Sequence, residues 1–286
     1  MTTSCWLCGE IKLTCVKAAE VPSTVDATAF RVTDANYGQC AAIYRCIACG
    51  FRQCSDFPDV LSFYQAMNDP GYEASRGPRT LQAERLLRSV NHCRSGGRLL
   101  DIGAGSGILV EAATRLGYRA EGIEPSEWMV RSAAAHGVRI QAGVLPNEAM
   151  TGPYDVVTLV DVIEHVSDPV DLLVQARKVM ASGGIGLVIT PDVRSLAARV
   201  MGRRWWHYRM AHICYFEKAT LLAALRRAAL EPVEVFRPSW YFTGDYLIQR
   251  LGTYLPMVRK IELPVLKRTV VPLNLFDSLG IVFRAA

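Results

Sequence analysis

From Arg98 to Arg284 the chain alternates between short apolar runs and longer stretches with helical spacing. Leu99, Leu100 and Ile102 form a brief aliphatic strand, and the apolar positions from Ile108 to Leu116 recur at helical spacing. The next apolar strand ends at Glu124 and is followed by a helix over Ser126–His136 and a short strand over Val138–Gln141. Tyr154–Asp161 is an almost unbroken β-branched run, the pattern of a strand buried on both faces of a parallel sheet. A helix over Asp168–Ala181, a turn at Ser182–Gly184 and a strand over Ile185–Thr190 continue the alternation. A helix over Glu217–Ala229 and strands over Leu230–Arg237 and Gly280–Arg284 complete it. Strands separated by helical crossovers predict an α/β fold with a doubly wound sheet.

Three segments fall outside that rhythm. Residues 1–55 carry paired cysteines, and residues 56–95 hold Pro, Gly and Tyr ahead of a helix over Thr80–Asn91. Residues 96–286 form the main domain, interrupted by insertions at 191–216 and 239–278. The second insertion is too long for a hairpin loop. Its Arg250, Arg259, Lys260, Lys267 and Arg268 among apolar residues point to a cap over a pocket, a homodimer contact or peripheral contact with an anionic membrane.

Composition narrows the class. Half of the 286 residues are apolar, enough for a substantial core, and a net charge of +5 without a basic run disfavours nucleic acid as a partner. The first residues lack a basic region followed by an apolar stretch, and no apolar run is long enough to cross a bilayer, so a cytoplasmic location is expected. In that compartment the nine cysteines are read as metal ligands and buried thiols. Cys5-Trp-Leu-Cys8-Gly and Cys46-Ile-Ala-Cys49-Gly are two knuckles, each turning two thiolates toward one point. Cys5, Cys8, Cys46 and Cys49 therefore predict a closed, structural Zn2+ site in a zinc ribbon, outside the chemistry.

The chemistry-bearing run is Arg98-Leu-Leu-Asp101-Ile-Gly103-Ala-Gly105-Ser-Gly107, followed by Glu121-Gly-Ile-Glu124-Pro125-Ser. Strand, glycine turn and helix N-terminus bring backbone close to a ligand, and a carboxylate about twenty residues on can accept both ribose hydroxyls. Ile108 stands where a dinucleotide fingerprint needs its last glycine, and no Gly-Lys-Ser/Thr follows for a nucleoside triphosphate. The run resembles the first motif of class I S-adenosylmethionine-dependent methyltransferases. That resemblance implies a Rossmann-like seven-stranded sheet whose last strand is antiparallel. It implies S-adenosyl-L-methionine as cofactor, held by Asp101, Gly103, Gly105, Gly107, Glu124, Pro125 and Asp161, with Leu145 at the adenine and Arg79 facing the cofactor carboxylate.

Asp161-Val-Ile-Glu164-His165 follows the fourth strand, at the sheet edge where ligands bind. Asp161, Glu164 and His165 converge if this segment is helical. The run resembles the acidic-acidic-His segment of ubiquinone-biosynthesis methyltransferases, which implies a second divalent cation near Glu164 and His165. Oxygen-rich donors with one imidazole favour magnesium or manganese. His165 is alternatively a general base, or a fastening of the turn. In the first insertion, two tryptophans, two tyrosines and two histidines lie close together, and His212 is a second candidate base. The expected function is methyl transfer to a small-molecule acceptor, most simply to oxygen, in secondary-metabolite, saccharide or lipid synthesis. The alternative is RNA base methylation, with the zinc ribbon as the RNA-binding module.

Overall fold

The computed structural model describes residues 4–22, 24–57, 59–255, 257–258 and 263–285. Arg259 and Lys260, two of the cations expected to make the second insertion basic, lie outside the described residues. The N-terminal part contributes β1 (Leu13–Lys17), β2 (Ile43–Cys46) and β3 (Arg52–Gln53). Three helices follow, α1 (Leu61–Ala66), α2 (Pro70–Ala74) and α3 (Arg76–Asn91). The main domain opens with β4 (Gly97–Ile102), α4 (Ile108–Arg115), β5 (Tyr118–Glu124), α5 (Glu127–Ala135) and β6 (Ile140–Ala142). It continues through β7 (Tyr154–Val160), α6 (Pro169–Val179), β8 (Met180–Pro191), α7 (Leu196–Met201), β9 (Cys214–Tyr215), α8 (Lys218–Arg227) and β10 (Leu230–Phe236). The second insertion holds β11 (Trp240–Thr243), α9 (Gly244–Leu251), α10 (Pro264–Arg268) and β12 (Val270–Leu273), and β13 (Ser278–Ala285) ends the chain's regular structure.

The main sheet has seven strands in the order β10-β13-β8-β7-β4-β5-β6. β13 runs antiparallel to both β8 and β10, while the β8-β7-β4-β5-β6 ladder is parallel. The expected doubly wound sheet is therefore present. Its strand order reverses at β4, whose neighbours are β5 and β7, and a crevice opens at that switch point beyond the strand C-termini. β4 and β7 sit in the middle because their side chains are almost all buried, with Leu100 and Val157 facing one core and Leu99 and Val156 the other.

Two local expectations change. The glycines at 183 and 184 belong to β8, because Tyr154 pairs with Met180 and Val156 with Ile185, so they form an irregularity inside a longer strand. The segment ahead of β4 is more helical than its Pro and Gly content implies. Asp69 caps α2 by accepting from the Tyr72 amide, and Pro70 fills the first helical position. α3 begins at Arg76 because Gly77 and Pro78 fall in its first turn, where amide protons have no intrahelical partner to lose.

The N-terminal strands are completed from elsewhere in the chain. β1-β2-β3-β9 is one four-stranded sheet, with Arg52 opposite Tyr215 and Gln53 opposite Cys214. The amide of Cys54 also donates to Ile213 at 2.9 Å. A strand from the first insertion thus closes the edge of the N-terminal module. The second insertion braces the same module, since Arg250 donates to the carbonyls of Thr33 at 2.5 Å and Asp34 at 3.3 Å and lies over the Tyr37 ring. No described helix is long and apolar enough to cross a membrane.

Candidate active site

A cavity of about 500 Å³ lies beyond the C-terminal ends of β4, β5 and β7. Its two ends are built differently. At one end, β4 delivers Asp101 and the glycine turn. Gly103 and Gly105 have positive φ, and a Cβ on Gly103 would stand 2.5 Å from a Val162 methyl, one on Gly105 2.9 Å from the Tyr72 hydroxyl. Only glycine lets the backbone make this bend. Glu124, at the end of β5, accepts from the amides of Gly105 and Ser126 at 2.9 Å each, which aims its carboxylate across the turn. Burial raises its pKa, against the pull of those two amides. Asp101 accepts from Thr158 Oγ1 at 2.6 Å, and burial pushes its carboxyl up to about 7 despite that bond. Pro125, Leu145 and Met129 add apolar walls.

Tyr72 and Arg79 cover this end from α2 and α3. The Arg79 guanidinium stacks 4.1 Å over the Tyr72 ring, and its Nε donates to Ser75 Oγ at 2.9 Å. Arg76 latches the same pair of helices onto α4, through Glu111 at 2.5 Å and the Ser106 carbonyl at 3.3 Å. A narrow backbone bend, a ribose-height carboxylate and an arginine without a carboxylate partner among the described residues fit S-adenosyl-L-methionine.

The other end gathers side chains from three distant segments. Phe30, Val32, Val60 and Tyr64 come from the N-terminal part, Asp161, Val162, Glu164 and His165 from the turn after β7, and His207, Arg209 and His212 from the first insertion. Asp161 adopts a left-handed backbone (φ 54°), a conformation that Asp tolerates better than most residues with a Cβ. Burial pushes its carboxyl up to about 7, while Arg79 pulls it down. Ile163–His165 form a single 3-10 turn, which sends Glu164 inward. Glu164 Oε2 accepts from Thr190 Oγ1 at 2.9 Å, and Oε1 is buried without a partner. Burial, then the neighbouring Asp161, holds this carboxyl well above the usual range.

His165 Nδ1 lies 2.6 Å from the Ala211 carbonyl and 2.7 Å from the Tyr64 hydroxyl. A carbonyl can only accept, so Nδ1 carries the proton and the Nε2 lone pair faces Glu164 Oε1, 3.9 Å away. Burial drags the His165 pKa down to about 4. Burial thus weakens His165 in the general-base role that the sequence suggested. His212 packs edge-on to His165, its Nδ1 is buried without a partner, and burial, then the His165 charge, depresses it strongly. His207 touches Asp277, with Nε2 3.4 Å from Oδ2, while Trp206 Nε1 donates to the same oxygen at 2.8 Å.

Ligand atoms of Glu164, His165 and His212 lie within 4.8 Å of one another. The expected convergence of Asp161 with Glu164 and His165 is thus replaced by His212, because a 3-10 turn and a left-handed Asp161 do not align the three as an α-helix does. His207 joins His212 in the pocket, as the aromatic cluster of the first insertion suggests, while Arg209 is a pocket residue that pattern reasoning did not single out. Tyr64 reaches His165 across 101 positions, which no local signal records.

The four knuckle cysteines form a second cluster, away from the cavity. Cys5 and Cys49 sulfurs are 3.6 Å apart, Cys8 and Cys46 3.5 Å. These spacings match the edge of a sulfur tetrahedron around zinc, roughly 3.7 Å for bonds near 2.3 Å. Burial pushes the Cys5 thiol up to about 11. Burial also acts on Cys46, but the Cys49 and Ala48 amides outweigh it and bring that thiol down to about 7. The group fits a structural zinc ion.

Comparison with known proteins agrees with this architecture. A family described as "Methyltransferase domain" matches residues 74–235. The chain belongs to that methyltransferase-domain family. It is 37% identical over 116 residues to a ubiquinone biosynthesis O-methyltransferase of Caulobacter sp., covering 38% of this chain and 46% of that protein. It is 32% identical over 164 residues to the protein of the same name from Cereibacter sphaeroides, covering 51% and 66%. The chain spans about half to two thirds of the length of these curated relatives. Magnesium protoporphyrin IX methyltransferase of Synechocystis, solved with bound SAH, shares the fold at 12% identity and a TM-score of 0.50, covering 77% of this chain and 89% of that one.

Proposed function

We propose that the protein transfers the methyl group of S-adenosyl-L-methionine to a hydroxyl of a small-molecule acceptor, as the names of its relatives indicate for them. The observation that carries this reading is the Glu124 carboxylate anchored by the Gly105 and Ser126 amides beside a bend that tolerates no Cβ. When bound, S-adenosyl-L-methionine supplies a methyl group already activated on a sulfonium. The chain's residues need only bind, orient and manage a proton. Glu124 holds the ribose, the turn from Gly103 to Gly107 lies along the amino-acid portion, Leu145 packs on the adenine and Arg79 pairs with the carboxylate. At the acceptor end, His165 Nε2 and His212 present neutral imidazoles, which burial makes weak proton acceptors and leaves available as ligands.

A cavity of about 500 Å³ suits a small acceptor better than a strand of RNA. The orphaned Glu164 Oε1 and His212 Nδ1 support a divalent cation between these residues and His165. With two imidazoles and one carboxylate, that donor set favours manganese, iron or zinc over magnesium. Zinc at the four cysteines is structural in this reading, and metal-bound rather than disulfide-linked cysteines are what a cytoplasmic setting would hold. The test is calorimetry with S-adenosylhomocysteine, followed by mass spectrometry of phenolic and catecholic acceptors incubated with protein and S-adenosyl-L-methionine. Micromolar cofactor binding and a mass gain of one methylene unit are expected. Absence of any cofactor binding overturns the reading.

A further inference from the structure

The cavity holds two arginines, and neither forms an ion pair with a described carboxylate. Arg79 stands at the cofactor end, where the proposed function uses it. Arg209 stands at the other end, from the first insertion, and that reading leaves it without a task. Two of its five N–H donors go to neutral partners, the carbonyls of Val32 at 3.2 Å and of Arg31. Its Nε is buried and makes no hydrogen bond. The neighbouring carboxylates are engaged with other groups, Asp277 with His207 and Asp192 with Arg237. Asp161 feels the Arg209 charge without pairing with it. The guanidinium is half-buried in a cavity lined also by Phe30, Val32 and Tyr64, and no described carboxylate neutralises it there.

The carbonyl contacts fix the guanidinium in one orientation and leave donors over for a ligand. That is the arrangement by which arginine recognises a carboxylate with directional hydrogen bonds. We propose that Arg209 receives an anionic group of the methyl acceptor, so that the acceptor is a carboxylate-bearing molecule whose hydroxyl is presented to the methyl donor. The inference rests on the methyltransferase reading above. Within it, Arg79 and Arg209 divide the two anions of the ternary complex, one from the cofactor and one from the acceptor.

The experiment compares protocatechuate with its neutral amide, an isostere, binding to the full-length protein saturated with S-adenosylhomocysteine. Saturation itself reports the cofactor reading, so a failure there is recognised before the acceptor is added. In the wild type the acid is expected to bind about ten-fold tighter than the amide or better. Arg209→Met is expected to abolish that preference while leaving amide and cofactor affinities unchanged, and Arg79→Met to weaken the cofactor while keeping the preference. A purely structural arginine would lower acid and amide affinity together. The proposal is overturned by equal wild-type affinities for acid and amide, by no binding of the acid to the cofactor-loaded protein, by a preference that survives Arg209→Met, or by parallel loss of both ligands. The wild-type comparison decides the matter even if the variant does not fold.

Discussion

The two ends of the cavity are built in opposite ways. The floor of the cofactor end comes from one stretch of chain, β4 to α5, as backbone amides, glycines and two carboxylates at strand ends, with Tyr72, Arg79 and Leu145 added as a cover from outside it. The acceptor end is assembled from the N-terminal module, the turn after β7 and the first insertion, and its recognition groups are side chains. A backbone-built site is specified by local geometry and is hard to retune. A side-chain site held by distant segments can change its ligand by substitution, provided those segments stay docked. The contrast makes the docking seam, where β3 pairs with β9, as important to the acceptor as the residues that touch it.

The largest test of that contrast is removal of the knuckle metal. Structural zinc contributes roughly 10 kcal/mol or more of binding free energy to small modules, so Cys46→Ser or strong chelation should unfold the N-terminal sheet. Methyl transfer should fall by about 30-fold or more while S-adenosylhomocysteine affinity changes by less than about 3-fold. Equal loss of both, read by calorimetry and a turnover assay, would mean the two ends are not separable.

Next in size is the buried carboxyl of Asp101. Its pKa in the folded chain, about 7, is above the ordinary 3.8, so the folded state favours the protonated form. That stabilisation is present below pH 4 and is lost as pH rises through 7. Asp101→Asn should therefore match the wild type near pH 4 and exceed its stability at pH 8, by as much as about 4 kcal/mol. Denaturant unfolding at the two pH values checks this, and a variant less stable at pH 8 would contradict it.

Glu124→Ala sharpens the comparison from the ligand side. Losing the charge-assisted contacts to the ribose should cost about 100-fold in S-adenosylhomocysteine affinity, roughly 2.7 kcal/mol. The His165 ring resonances should stay where they are, because that imidazole is held by Ala211 and Tyr64 at the far end. The smallest effect is expected behind the seam, inside the N-terminal module. Gln53 accepts from the Trp6 amide at 2.8 Å and donates to the Ser4 carbonyl at 3.0 Å, tying the first knuckle to β3. Gln53→Ala should destabilise the protein by about 1–2 kcal/mol and lower acceptor turnover before it affects cofactor binding.

The difference between the ends also explains what the sequence discloses. Leu99 to Gly107, Glu124 and the strand at Tyr154 are legible because strand, turn and carboxylate follow one another at short range. The cysteine knuckles are legible for the same reason. Beyond the reach of pattern are the Tyr64–His165 contact and the replacement of Asp161 by His212 beside Glu164 and His165. Each depends on a pairing between segments far apart, and on a 3-10 turn where helical spacing predicts an α-helix. The depressed pKa of His165 is illegible too, because burial is a property of the assembled wall.

One consequence of β9 reaches past catalysis. The front module and an internal excursion of the catalytic domain share a single hydrogen-bonded ladder, so neither can be gained or discarded alone without baring a strand edge. A graft of this acceptor wall onto another methyltransferase would have to carry both.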